Sequence, residues 1–227
     1  MQLTHKDLAD LVIDIINTGD LPRLMKMHDD LKEELDHHRF FLRASKAKQP
    51  DLALFFLEGM FKYENRKSLD THVLEAVALL NDERITALAL SHMTKEWDLG
   101  SYFAVKSSNI SFMRGIAPHL SPKSVFSALN LAGSYNNMPA VDCLLPLLDE
   151  KYRDDPLPLV NALLDNNAEM AMVFYPVFDE DLAVTKINYQ TRVPREQPLR
   201  LLKIVRENHL LSPLGNKAEA PKRQKVM

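Results

Sequence analysis

Between His28 and His38 the chain reads His-Asp-Asp-Leu-Lys-Glu-Glu-Leu-Asp-His-His, the stretch that comes nearest to metal chemistry. Glu34 and His37 stand three apart, so a helix would place them on one face, as in carboxylate-bridged metal sites. Such a site needs two of these pairs and two further carboxylates. His72 and Glu75 supply one reversed pair elsewhere, and the set ends there. The plainer reading is a row of solvated polar positions on helices. Cys143 has Leu144 and Leu145 beside it, whereas a reactive thiolate needs positive neighbours and access. It reads as a buried, inert thiol. His5, His92, His119 and His209 form no motif with a serine, cysteine or carboxylate. No Gly-rich phosphate loop, nucleophile elbow or Cys/His zinc spacing occurs. The expectation is a protein that is not an enzyme, with no cofactor. A metal-dependent helical enzyme around Glu34 and His37 is the rival reading.

The composition fits a globular chain. Of 227 residues, 46% are hydrophobic and 26% charged, which excludes a disordered or collagenous protein. No run of about 18 to 20 apolar residues exists to span a bilayer. A single cysteine rules out an intrachain disulfide, and residues Met1 to Asp14 carry charge among their apolar side chains, unlike a signal peptide. A cytoplasmic location is expected. Charge is unevenly placed. From Lys186 to Met227 ten Lys or Arg stand against three Glu, a net of +7, so the remainder carries −10 of the overall −3. A basic end on an acidic body points to an anionic partner, nucleic acid or acidic lipid, or to simple solvated surface.

Apolar residues recur mostly with helical spacing, and connections are short and rich in Asn, Asp, Ser and Pro. No long stretch alternates with period two. The helices also repeat. A polar junction returns at Lys48-Gln49, Asn81-Asp82, Ser108-Asn109, Asn136-Asn137 and Asn166-Asn167, at spacings of 33, 27, 28 and 30 residues. Four places before each junction stand Ala44, Val77, Ala104, Ala132 and Ala162. Four, five, eight and nine places after it, nineteen of twenty residues are apolar, where a random draw would give about nine. Pro118, Pro146 and Pro176 each lie ten places on. The pattern predicts a helix that ends at the junction and a second helix with an apolar face. Neither can bury that face alone, so consecutive hairpins must stack. Val12, Ile15 and Ile16, then Thr18-Gly19-Asp20, then Leu24 and Met27, give a looser sixth unit. In it Gly19 ends the first helix and Pro22 opens the second.

These residues resemble the ankyrin repeat. The clearest match runs from Leu129 to Leu145, with Ala132-Gly133 before Asn136-Asn137 and Val141, Leu144 and Leu145 after it. Leu157-Pro158-Leu159, Ala162 and Asn166-Asn167 give another, with Pro158 in the place of the family's helix-opening proline. The resemblance covers roughly residues 8 to 180. The Thr-Pro-Leu-His opener and the finger glycines of the family are largely absent, so its projecting turns are replaced by plain loops. A tetratricopeptide or HEAT-like array and a non-repeating bundle remain as alternatives.

The resemblance implies an all-α solenoid of five to six hairpins over residues 1–185, a basic capping helix region over 186–212 and a disordered basic tail over 213–227. In the capping helix Leu201, Leu202, Ile204, Val205, Leu210 and Leu211 follow Gln197-Pro198-Leu199. The tail includes Pro221-Lys222-Arg223-Gln224-Lys225, which looks like a short nuclear-import signal. The resemblance also implies a protein partner held on the concave face, beside the end of each first helix. By position that face includes Lys46, Lys106, Ser107, Ser134, Tyr135 and Asp165. Leu79, Leu80 and Leu164 fall in the same columns and are either a contact patch or core. Trp97 and Tyr102, in a loop and helix start, are candidate anchors. Arg192, Arg195, Arg200 and Lys203 are the candidate anion ligands. Degenerate, glycine-poor repeats with a basic tail look similar to those of pathogen effectors and viral or phage antagonists, which implies inhibition of the partner.

Overall fold

A computed structural model describes residues 5–31, 35–64, 68–189 and 194–211. The described residues form fourteen α-helices and no strand. The tail over 213–227 lies outside them, as do Arg192 and Glu34. The chain divides into two compact units, residues 1–124 and 125–227.

The first unit holds α1 (His5–Thr18), α2 (Leu21–Leu31), α3 (His37–Lys46), α4 (Pro50–Tyr63), α5 (Thr71–Leu80), α6 (Glu83–His92), α7 (Trp97–Ser107) and α8 (Ile110–Ile116). They pack as hairpins, α1 with α2, α3 with α4, α5 with α6 and α7 with α8. The first helices also touch one another in order, α1 to α3 to α5 to α7. The second helices do the same from α4 to α6 to α8. The second unit holds most of α9 (Pro122–Ser134), with α10 (Met138–Leu144), α11 (Leu157–Leu164), α12 (Ala168–Phe174), α13 (Glu180–Tyr189) and α14 (Glu196–Leu211). There α11 packs on α12, and α13 and α14 close against α11. The basic helix α14 therefore sits within this unit.

Each predicted junction is a bend of one form. Lys48, Asn81, Ser108, Asn136 and Asn166 all adopt positive φ, between 51° and 57°. This left-handed residue turns the chain out of the first helix. The N–H of the next residue then donates back to the alanine column. Gln49, Asn109, Asn137 and Asn167 reach the carbonyls of Ala44, Ala104, Ala132 and Ala162 at 2.8–3.0 Å. At the N-terminal hairpin Gly19 has a φ of 72°, and the Asp20 N–H reaches the Ile15 carbonyl. The second helix is capped at once. The side chains of Asp82, Asn109, Asn137 and Asn167 accept from the backbone N–H of Ile85, Phe112, Ala140 and Met170. At the Asn109, Asn137 and Asn167 bends two residues thus satisfy an orphan carbonyl of one helix and an orphan N–H of the next, whereas Gln49 makes no side-chain cap.

The columns point inward as the spacing predicts. Ala44, Val77, Ala104, Ala132 and Ala162 are buried, and so are seventeen of the twenty positions on the second helices. Leu90, Leu145 and Tyr175 are half-buried. Pro118 and Pro146 lie in single 3₁₀ turns, Ala117–His119 and Leu145–Leu147, that tighten the ends of α8 and α10. Side-chain amides link hairpins within a unit. In the second, Asn161 Nδ2 donates to Asn130 Oδ1 and Asn167 Nδ2 to Asn136 Oδ1, each at 2.8 Å.

A left-handed lysine or serine carries a steric cost that asparagine largely avoids and glycine does not have. Lys48→Gly is therefore expected to stabilise the protein by about 0.5–1 kcal/mol, and Asn136→Gly by less. Urea midpoints of the two variants measure this. A Lys48→Gly midpoint below the parent's would contradict the assigned bend.

Candidate interaction surface

The first helices of the hairpins end at the bends, and the residues two and six places before the left-handed bend residue face outward together. On α3 these include Leu42 and Lys46, on α5 Glu75 and Leu79, on α7 Tyr102 and Lys106. The last turn of α5 is held in the row by the left-handed Asn81 beyond it and by Ala76, Val77 and Ala78 beneath it, all buried. That fixes Leu79 outward, and it is 67% exposed.

Leu79 stands as a ridge between two hollows. The first, of about 150 Å³, is lined by Leu42, Ser45, Lys46, His72, Glu75, Ala76 and Leu79. The second, of about 30 Å³, is lined by Glu75, Ala78, Leu79, Phe103, Lys106 and Ser107. The first has room for one leucine- or ring-sized side chain, the second for little more than a methyl group. The structure thus brings Lys46, Lys106 and Ser107 onto one surface. Among the described residues, neither Lys46 nor Lys106 has a carboxylate within 4 Å; the Lys106 ammonium lies 5.9 Å from the centre of the Tyr102 ring. Arg23, Arg84 and Lys151, by contrast, are each paired with an aspartate. Sequence reasoning missed Leu42, Glu75 and Phe103 as lining residues. The signal was available, since Leu42 and Glu75 stand one helical turn before Lys46 and Leu79. His72 and Glu75, set aside as an incomplete metal pair, line the same hollow.

Of the other predicted contact residues, Tyr102 stands in the row beside Lys106, and the rest are placed elsewhere. Trp97 is the first residue of α7, not a loop residue, and its ring stacks on His119 with centres 4.2 Å apart. Half-buried against that partner, it is packing rather than a protruding anchor. Tyr102 lies within α7 and is 39% exposed. In the second unit Ser134 and Tyr135 are exposed at the end of α9, and Asp165 is exposed as the C-cap of α11. Leu80 and Leu164 are half-buried, so of the three leucines in these columns only Leu79 projects.

His37 is fully buried, its ring stacked 5.4 Å from Tyr63 and set directly against Gly59, with Nδ1 3.8 Å from Glu64. His38 Nε2 lies 2.8 Å from Asp70. Burial raises the Asp70 pKa, but the N–H groups of Val73 and His72 and the His38 ring outweigh it and hold the carboxyl below its ordinary value. No group of three or more His, Cys, Asp or Glu among the described residues is placed to hold a metal ion. Cys143 is half-buried rather than fully enclosed, because its place on α10 falls at the margin of the apolar face.

Arg200 and Lys203 are exposed on α14 and Arg195 is exposed just before it, but carboxylates have claimed several cations nearby. Lys203 lies 4.0 Å from Glu207, Arg206 lies 3.3 Å from Glu180, and Lys186 pairs with Asp155. Glu180 also accepts from the Tyr175 hydroxyl at 2.6 Å. Burial, then that bond and the negative charge, push the Tyr175 pKa well above the ordinary phenol value. This cluster ties the end of α12 to α13 and α14, which is a packing role.

No family model, curated protein or solved structure matches this chain. No described helix is long and apolar enough to cross a membrane.

Proposed function

We propose that this chain is a non-enzymatic protein-interaction module, an ankyrin-like array of helical hairpins that holds a partner protein along the row formed by α3, α5 and α7. One observation carries the reading: a leucine 67% exposed on a well-buttressed helix, set between two hollows and flanked by two lysines with no carboxylate within 4 Å among the described residues. Isolated exposed leucines are common, but one that ridges a built groove is where interfaces place their anchors. A segment held there is withheld from its other partners, so the module acts as an inhibitor or regulator.

The test places a photo-crosslinking amino acid at position 79 of the full chain, expressed in its own cells, with position 58 as control. Glu58 is exposed on α4, away from the groove. Discrete protein adducts from position 79 that are absent from position 58 are the expected result. Equal labelling from both positions would overturn the assignment of this surface.

A further inference from the structure

The chemistry of the groove narrows what it can hold. Along the row, Lys46, Leu79 and Lys106 occupy equivalent places on three neighbouring helices, so cation, apolar ridge and cation follow in line. Packed helices lie about 8–10 Å apart, which an extended chain covers in about three residues. A chain crossing all three helices therefore meets a positive charge, an apolar hollow, the ridge, a second small hollow and another positive charge within about seven residues. Only the hollow between α3 and α5 admits a bulky side chain. Glu75 lines both hollows and is half-buried between the two lysines. It would repel a carboxylate placed centrally and accept a hydrogen bond from a passing backbone N–H, so the acids of an occupant belong at the ends.

We infer that the occupant is an acidic protein segment in extended conformation, with one bulky apolar side chain seated between α3 and α5 and an acidic residue on each side of it, facing Lys46 and Lys106. This rests on the interaction reading above and specifies its ligand.

The experiment selects binders of the full-length protein from a displayed library of random 16-residue peptides. Individual winners are then synthesised and their affinities measured by fluorescence anisotropy. The expected winners share a bulky apolar residue with Asp or Glu two to four residues away on both sides. Their binding should be lost in Leu79→Asp and fall about tenfold or more in the double variant Lys46→Glu/Lys106→Glu. It should weaken as salt rises and strengthen in Glu75→Gln. Peptides with the flanking acids exchanged for lysine should prefer the double variant. Lys46, Leu79 and Lys106 are exposed and Glu75 is half-buried, and unchanged melting of each variant shows that folding is not the cause. Winners that need Leu79 but carry no flanking acids would overturn the proposed occupant and leave the interaction surface standing. Binding unaffected by Leu79→Asp, or no binders at all, would overturn both. An oligothymidine that displaces the winners would likewise overturn the peptide assignment in favour of nucleic acid.

Discussion

Leu144→Asp is expected to remove about 4–5 kcal/mol or more of stability, a large share of what holds the second unit folded. Leu144 is 0% exposed at the eighth place after its bend, on the core face of α10. Two effects add. Truncating a buried leucine costs about 3–5 kcal/mol through lost burial and the cavity left behind. The carboxylate must then be either buried without a partner or protonated, at a further cost. A domain's whole stability is about 5–15 kcal/mol, so this single change consumes much of it. Leu147 supplies the control. It lies three residues on and is 44% exposed, so Leu147→Asp should shift stability by no more than about 1 kcal/mol. Urea unfolding of both variants decides the matter. A Leu144→Asp protein that unfolds at the parent's midpoint would show the repeat register to be wrong.

Gly59→Ala is the second large effect, and it runs against the usual preference. In a helix interior alanine is favoured over glycine by about 1 kcal/mol. Here a Cβ at position 59 would lie 2.0 Å from Cδ2 of His37 and 2.4 Å from Nε2. The ring cannot swing away, because it is fully buried and backed by Tyr63 and Phe56. Helices α3 and α4 must part, and the expected net loss is about 2–3 kcal/mol. Gly115→Ala meets the branched end of Leu90, with Cδ1 at a similar 2.2 Å, but Leu90 is half-exposed and its side chain can turn to another rotamer. That substitution should be close to neutral. If thermal melts place the two alanine variants together, the tight approach of His37 is not what holds α3 to α4.

Much of the hairpin pattern was legible in the sequence because it depends on local rules. The asparagines and aspartates that start second helices, and the alanines that accept from them, sit at fixed offsets, and short-range hydrogen bonds enforce those offsets. The scarcity of glycine was less informative than it first reads. The bends need one left-handed residue each, and asparagine, serine or lysine fills that place at modest cost. The use of His37 could not be read, since its burial depends on Gly59, twenty-two residues away, leaving a gap only a flat ring fits. Trp97 was misplaced for a related reason. Its partner His119 lies on the next hairpin's approach, and stacking between distant residues leaves no periodic trace. In the groove the lysines were legible from the two columns just before each bend, while Glu75 and Leu42 lie one helical turn further back, outside those columns. Of the anion candidates, Lys203 lies within reach of a carboxylate, Glu207, while the neighbouring Arg206 and Lys186 are paired with Glu180 and Asp155, contacts between helices that the sequence does not display.

The tightness of the two-residue bends decides where this chain can change length. Where one left-handed residue is followed by one capping residue, as at Asn109, Asn137 and Asn167, there is no slack, and an extra amino acid would break both the backward hydrogen bond and the cap. The spacing between bends nonetheless ranges from 27 to 33 residues. That variation has to fall at the opposite ends of the helices, in stretches such as Met93–Glu96 and Leu148–Pro156. Growth and loss of residues are thereby confined to one edge of each hairpin, and the other edge is kept at constant length.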